Sequence, residues 1–267
     1  LTTKDAEVTI LAMERGAIDF VTKPGNVIEA KGEDFKKQLL SVLTAVYNTQ
    51  LYKRTTPDTF KPAGVAKHIR PVRTDRKLVA LACSTGGPKA LQSVIPYLPK
   101  NLDAPVVLVQ HMPAGFTKSM ADRLNELSEV SVKEAEEGDV LEKGHVYVAP
   151  GGMHMEVVKA HGNTHRIKLD DLPPIGGLRP CANIMFDSLA KTDYDEIICI
   201  VLTGMGADGT NGILSLNRTK PIHVIAQDAQ TCVVYGMPRA IAEAGMVDEV
   251  VPLTAVAKTI IKNVGVK

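Results

Sequence analysis

Short apolar runs alternate with stretches of helical spacing from residue 77 onwards, and this alternation constrains the fold more than any other feature of the chain. The apolar runs are rich in aliphatic residues, which is typical of strands that are buried on both faces. They lie at 77–83, 105–110, 196–202 and 222–226, and the helical stretches lie at 88–98, 116–127, 237–244 and 253–263. Strands that alternate with helices predict a parallel sheet with right-handed crossovers. The sequence therefore predicts an α/β domain over residues 77–267 with a doubly wound, mainly parallel, Rossmann-like sheet.

The middle of this region departs from the alternation. Residues 146–149, 153–159 and 165–169 are predicted to be strands, and the last two are joined by a turn around Gly162. Two strands joined by a short polar turn are typical of an antiparallel hairpin. We expect this hairpin to project from the main sheet or to flank it.

The first 76 residues form two segments of different character. Residues 1–50 predict a helix over 6–15, a strand over 17–21 and an amphipathic helix over 34–47. Residues 51–76 contain three prolines and more basic than acidic side chains, without periodicity. We interpret them as a solvated linker, and the alternative is a basic segment that contacts an acidic partner.

The overall composition argues against several classes of function. The net charge is +1 and the aromatic fraction is 4%, so neither nucleic acid nor an anionic membrane surface is expected as the main partner. The four cysteines form no CxxC pair, which indicates free thiols and a reducing, cytoplasmic location. No apolar run is long enough to span a bilayer, and the start shows no signal-peptide pattern. Because the first residue is Leu1, we expect the chain to be a fragment.

Ser84 directly follows the apolar run at 77–83 and precedes Gly86, Gly87 and Pro88. The glycines allow a tight turn, and Pro88 suits the first turn of a helix, where its missing N–H costs nothing. Ser84 would then lie beside a helix N-terminus, whose N–H groups favour a developing oxyanion. Taken alone, this serine is more typical of a turn, and the Gly-Gly pair is only a weak match to a phosphate-binding loop.

Two further polar residues follow apolar runs in the same way. His111 stands at the end of the run at 105–110, and Asp208 lies in a glycine-rich loop after 196–202. Each residue alone is most simply structural. Together with Ser84 they would meet at the carboxyl ends of parallel strands, where open α/β sheets bind ligands.

Ser84, His111 and Asp208 are the residue types that acyl transfer needs. Ser84 would attack a carbonyl carbon, His111 would take the proton, and Asp208 would hold the imidazole tautomer. Backbone N–H groups near three residues are candidates for the oxyanion hole: Thr85, Gly86 and Met205. The order along the chain differs from Ser, Asp, His of α/β-hydrolases, and Ala82 breaks the G-x-S-x-G motif, so a common lipase-type enzyme is excluded.

A metal site is not predicted from the histidines of the hairpin region. They contain no HExxH motif, and His154 is interpreted as a structural, hydrogen-bonding residue. We therefore expect no metal site in this region.

Six motifs along residues 77–252 together resemble the chemotaxis protein-glutamate methylesterase (CheB) family. They are Ser84-Thr85-Gly86-Gly87, Gln110-His111-Met112-Pro113, Tyr147-Val148-Ala149-Pro150-Gly151, His154-Met155, Leu202-Thr203-Gly204-Met205-Gly206-Ala207-Asp208-Gly209, and Ala226-Gln227-Asp228 followed by Cys232-Val233-Val234-Tyr235-Gly236-Met237-Pro238-Arg239. The resemblance is specific, since all the motifs occur in the order of the family.

The resemblance implies an enzyme and a substrate. It implies that Ser84, His111 and Asp208 form the triad and that Met205 helps to form the oxyanion hole. The implied substrates are methyl-glutamate and glutamine side chains on the cytoplasmic helices of chemoreceptors. The resemblance also implies that no metal ion and no organic cofactor is needed. The chain departs from the family at Ala82-Cys83, where Gly-Ala is usual, and at Cys181 and Asn183, where Ser and Asp are frequent.

Residues 1–50 resemble the end of a response-regulator receiver domain, which has a flavodoxin-like fold. Lys23 would match the lysine that contacts the phosphorylated aspartate, and that aspartate would precede Leu1. A receiver remnant of this size cannot bury a full core, so we expect it to be poorly packed or to lean on the catalytic domain. We also expect an esterase that phosphotransfer from the chemotaxis histidine kinase, the partner of full-length family members, cannot switch.

A second function class stays open at the level of sequence. The chain could be a regulatory or nucleotide-binding α/β module whose active site is silent. Labelling with a serine-directed phosphonate discriminates the two classes, because only an active nucleophile reacts.

Overall fold

The computed structural model describes residues 3–22, residue 24, scattered positions between 32 and 47, and residues 76–266. Lys23, assigned above to the receiver remnant, lies outside these residues, and so do residues 51–75 of the predicted linker. Among the described residues, no helix has the length and apolar character to cross a membrane.

The strands of the described residues are β1 (Lys77–Cys83), β2 (Val106–Gln110), β3 (Ser131–Glu134), β4 (His145–Val148), β5 (His154–Lys159), β6 (His165–Asp170), β7 (Glu196–Val201), β8 (Ile222–Gln227) and β9 (Glu249–Val251). Seven of them form one sheet in the order β3-β4-β2-β1-β7-β8-β9, and every neighbouring pair is parallel. A separate antiparallel hairpin consists of β5 and β6. The predicted mainly parallel sheet and the predicted hairpin are therefore confirmed.

Helices cover both faces of this sheet. In the chain they are α1 (Thr3–Glu14), α2 (Gly87–Gln92), α3 (Phe116–Leu127), α4 (Ala182–Leu189), α5 (Thr210–Asn217), α6 (Met237–Glu243) and α7 (Leu253–Val264), with a 3₁₀ turn at Ile95–Tyr97. Alternate residues of β1 enter opposite cores, with Val79 and Leu81 on one face and Leu78 and Ala80 on the other. Burial on both faces explains why the strand is continuously apolar.

The strand order reverses at β1. The chain runs from β1 to β2 on one side, whereas β7 pairs with β1 on the other. Such a reversal opens a crevice outside the carboxyl ends of the strands, and this is where doubly wound sheets bind ligands. The N–H of Ser84 donates to the carbonyl of Thr203 across this point at 3.0 Å.

The predicted strand at 17–21 is wrong. Residues 17–22 have no regular secondary structure and belong to no strand ladder of the described structure. A strand needs a neighbour to pair with, and here the segment contacts the domain through side chains instead. The Phe20 ring packs on Phe116 with centroids 4.5 Å apart.

Two further differences have local causes. The predicted helix at 88–98 ends at Gln92 and continues only as a 3₁₀ turn, because Pro96 has no N–H for a helical hydrogen bond. The strands β3 and β9 and the helices α4 and α5 were not predicted. They are short elements, and pairing and packing with distant residues stabilise them.

Helix α1 packs on the α/β domain, in agreement with the expectation that the N-terminal segment leans on it. Ala6, Ile10 and Met13 are buried in the same core as one face of the sheet. Glu14 accepts hydrogen bonds at 2.8 Å from both Gln92 and Arg123. The described residues between 33 and 47 are nearly all helical, as predicted.

Candidate active site

Three adjacent strands bring the predicted triad residues to one edge of the sheet. Ser84 follows β1, His111 follows β2, and Asp208 lies on the loop after β7. Because β1 lies between β2 and β7, the three loops are neighbours at this edge of the sheet. The N–H of His111 donates to the Cys83 carbonyl at 3.1 Å, so the β1–β2 ladder continues to the site itself.

His111 and Asp208 form the central hydrogen bond of the site. Nε2 of His111 lies 2.8 Å from Oδ2 of Asp208, and the two side chains are only 8% and 6% exposed. A carboxylate can only accept, so Nε2 carries the proton and the lone pair of the ring lies on Nδ1. This tautomer can accept a proton at Nδ1 and become an imidazolium that Asp208 stabilises.

Asp208 lies at the N-terminus of α4, where backbone N–H groups point at it. Its carboxylate accepts from the N–H groups of Ala182 at 2.6 Å and Asn183 at 3.0 Å, and Cys181 Sγ donates to it at 3.2 Å. Burial raises the pKa of Asp208, but the hydrogen bond and charge of His111 and the donors of α4 outweigh it and hold the pKa at about 2. Asp208 is therefore a stable anion.

Asn183 in turn caps α5, the helix that follows the loop carrying Asp208. Its Oδ1 accepts from the N–H groups of Gly209 at 3.0 Å and Gly212 at 2.7 Å, which caps α5. A Cβ at Gly212 would lie 2.7 Å from the Asn183 carbonyl, so the two helices meet this closely only with glycine there. Each helix N-terminus is thus fixed by a side chain of the other segment.

Glycines allow the loops around Ser84 to touch. Gly86 has a φ of +80°, and a Cβ there would lie 2.6 Å from Cβ of Val233. A Cβ at Gly204 would lie 2.9 Å from Cβ of Ser84. The loops after β1, β7 and β8 are therefore in direct contact at the serine.

The residues predicted for the oxyanion hole lie on both sides of Ser84. Thr85 and Gly86 form the turn into α2 and are buried, whereas Met205 follows Gly204 and is 38% exposed. Thr203 joins the two sides, because its hydroxyl lies 3.0 Å from the Thr85 carbonyl. The donor role of these residues stays a prediction.

The N-terminal segment reaches the same loop. The Thr85 hydroxyl donates to Oδ2 of Asp19 at 2.6 Å, next to the serine. No local pattern predicts this contact, since it depends on the packing of α1 against α2 and α3. It adds a second carboxylate to the surroundings of the site.

The cysteines and His154 have structural surroundings in the described part of the chain. All four cysteines are buried free thiols, and burial raises the pKa of the Cys83 thiol. Nε2 of the fully buried His154 lies 3.3 Å from the Pro173 carbonyl, in agreement with its structural interpretation. No cluster of potential metal ligands occurs among the described residues.

Gln110 and Asn183 were not recognised as site residues in the sequence. Gln110 is 2% exposed and donates to the carbonyls of both Ser84 and His111. The position of Gln110 could have identified it, because a polar amide at the end of an apolar strand must find hydrogen-bond partners when it is buried. Asn183 carried no comparable signal, since its helix was not predicted.

Known proteins are similar to this chain over most of its length. Residues 79–260 match the CheB methylesterase family. A protein-glutamate methylesterase/protein-glutamine glutaminase of Geobacillus kaustophilus is 41% identical over 264 residues, which cover 99% of this chain and 75% of the relative. The protein of the same description from Bacillus subtilis is 40% identical over 267 residues, covering 97% of this chain and 74% of the relative.

A solved structure shows the same fold. The crystal structure of the Thermotoga maritima CheB methylesterase catalytic domain superimposes with a TM-score of 0.67 at 44% identity. The superimposed region covers 71% of this chain and 99% of the Thermotoga maritima chain. The family match spans most of the chain, and the curated relatives are more than 30% identical over nearly all of it. The chain belongs to the CheB methylesterase family.

Proposed function

We propose that this protein hydrolyses methyl esters of glutamate side chains on chemotaxis receptors, with Ser84 as nucleophile, His111 as base and Asp208 as the residue that orients the base. The observation that carries the proposal is the buried 2.8 Å hydrogen bond between His111 and Asp208 at the sheet edge where Ser84 also lies. Family membership supplies the ester, since the curated relatives are described as protein-glutamate methylesterases.

The reaction proceeds by acyl transfer. Ser84 Oγ attacks the ester carbonyl carbon while Nδ1 of His111 takes its proton, and backbone N–H groups at Thr85, Gly86 or Met205 bind the oxyanion. The tetrahedral intermediate then collapses, the imidazolium protonates the departing methoxide, and methanol leaves. Water attacks the acyl-enzyme with His111 again as base, which releases glutamate and restores the serine.

Deamidation of glutamine is a second activity of the same residues. An amide replaces the ester, and the imidazolium protonates the leaving nitrogen, so ammonia departs instead of methanol. The descriptions of the curated relatives include protein-glutamine glutaminase, which supports this activity.

A nucleotide-binding role is less well supported. Neighbouring side chains fill the space beside Gly86 and Gly87. An added Cβ would clash with Val233 at Gly86 and with Gln110 at Gly87. Close packing of the loops therefore accounts for the two glycines without a phosphate ligand.

The finer assignments rest on the family alone. We propose that residues 1–50 derive from a receiver domain and that the protein acts in the cytoplasm on receptor helices. A chemotaxis histidine kinase is the expected partner of the receiver part. The alignment of curated relatives with nearly the whole chain supports the first of these assignments.

Methanol release tests the proposed function. Methylated receptor membranes are incubated with the wild-type protein and with Ser84→Ala, and released methanol is measured over time. The wild type should release methanol, and the Ser84→Ala rate should equal that of membranes alone. Equal release by both proteins would exclude Ser84 as the nucleophile, and no release by either would exclude the activity.

A further inference from the structure

We infer that Gln110 is a positioning residue that fixes the nucleophile loop and the base loop relative to each other; this rests on the proposed function. The side chain is buried at the carboxyl end of β2, in register with Cys83 of β1. Its Nε2 lies 3.1 Å from the Ser84 carbonyl and 2.9 Å from the His111 carbonyl. One amide group thus connects the backbones of two triad residues.

The chemistry of its partners fixes the orientation of this amide. The two carbonyl oxygens can only accept, so they require the NH₂ group. The thiol of Cys83 donates to Oε1 at 3.0 Å, which satisfies the other end. All polar atoms of the Gln110 side chain are therefore used, as a buried amide requires.

Gly87 shows how closely this side chain approaches the nucleophile loop. A Cβ at position 87 would lie 1.8 Å from Oε1 of Gln110. The N–H of Gly87 also donates to the Ser84 carbonyl, at 2.7 Å. The Ser84 carbonyl thus accepts from two donors, while the Ser84 N–H is held by Thr203.

This contact acts on a predicted oxyanion donor. The Ser84 carbonyl and the Thr85 N–H belong to one planar peptide group, so fixing the carbonyl fixes the direction of the N–H. Donation to the carbonyl also polarises the peptide, since hydrogen bonds in a chain strengthen one another. Gln110 therefore orients both the base and one of the groups that bind the oxyanion, although it touches no substrate atom.

The first test compares two buried glutamines at strand ends. Gln227 ends β8, is 1% exposed, and hydrogen-bonds to Thr203 and Thr231. It is linked to Ser84 only through Thr203, whereas Gln110 hydrogen-bonds to the Ser84 carbonyl directly. Gln110→Met and Gln227→Met each remove one buried amide. Melting temperature, kcat and KM for methylated receptor, and the rate of Ser84 labelling by a serine-directed phosphonate are measured.

Gln110→Met should lower kcat and the labelling rate by about 10²-fold with KM little changed, because misplaced reacting groups lose rate on this scale. Gln227→Met should lose similar thermal stability and much less kcat. The inference would be overturned if the two variants lost kcat equally at equal melting temperatures. It would also be overturned if Gln110→Met raised KM and left kcat unchanged.

The second test uses Gln110→Glu and a pH profile. The neutral acid can donate one of the two lost hydrogen bonds, whereas the carboxylate can donate none. We expect kcat of this variant to exceed that of Gln110→Met at low pH and to fall with rising pH, with a step that the wild type lacks. A profile parallel to the wild type would assign Gln110 a packing role only.

Phosphonate labelling of Ser84 distinguishes a failure of this inference from a failure of the proposed function. Wild-type protein that is labelled at Ser84 but releases no methanol would contradict the proposed substrate, and the Gln110 variants would still be compared by labelling rate. Wild-type protein that is not labelled at Ser84 would contradict both.

Discussion

Asp208 accepts a hydrogen bond from His111 at 2.8 Å and, at the same time, caps the N-terminus of α4 through the N–H groups of Ala182 and Asn183. The carboxylate that would orient the base in the proposed mechanism is therefore fixed by a helix from another part of the chain. The positive end of that helix stabilises the carboxylate anion. The proposed mechanism thus couples stability and catalysis at Asp208.

Asp208→Asn should lower kcat by about 10⁴-fold, because an amide NH₂ facing Nε2 favours the wrong imidazole tautomer. The oxygen of Asn still accepts from the N–H of Asn183, whereas its NH₂ group cannot accept from that of Ala182, so stability at neutral pH should fall only in part. Steady-state kinetics and thermal unfolding measure the two effects separately. Retained activity would show that Asp208 does not orient the base.

The pKa of Asp208 makes stability depend on pH in the acid range. Its folded pKa of about 2 lies below the ordinary value of 3.8, so the carboxylate stabilises the fold above about pH 4. This contribution, about 2 kcal/mol for a shift of this size, is lost as pH falls from 4 toward 2. The unfolding free energy of wild type minus that of Asp208→Asn should decrease over this range. A difference that stays constant with pH would contradict the assignment.

Asn183 tests the reciprocal helix cap. Asn183→Ala removes the acceptor of the Gly212 N–H and one of the two acceptors of the Gly209 N–H, which also donates to Asp208. It should lower the free energy of unfolding by about 1 kcal/mol, the usual cost of a lost cap. Asn183→Asp keeps an acceptor at the α5 N-terminus and serves as the matched control, measured by chemical denaturation. Equal loss in both variants would mean that the cap is not what stabilises this junction.

Helix α1 should behave as part of the catalytic core. Ile10 is 3% exposed and packs in the core under the sheet, whereas Val8 on the same helix is 60% exposed. Ile10→Ala should cost about 2–4 kcal/mol of unfolding free energy, and Val8→Ala should cost far less. A small effect of Ile10→Ala would indicate that α1 is not docked in solution.

The sequence predicted those parts of the fold that depend on local pattern. The continuously apolar runs of β1, β2, β7 and β8 located the strands, and their ends located Ser84, His111 and Asp208. The predicted strand at 17–21 was wrong because a strand depends on a partner that local sequence does not contain. For the same reason the cap of Asp208 on α4 and the contact of Asp19 with Thr85 were not foreseen.

The most direct test of the account is the site of covalent labelling by a serine-directed phosphonate, located by peptide mass spectrometry. We predict one adduct per chain on Ser84 in the wild type, none in Ser84→Ala, and a strongly slowed reaction in His111→Ala. An adduct on another residue, or equal labelling of wild type and Ser84→Ala, would contradict the account.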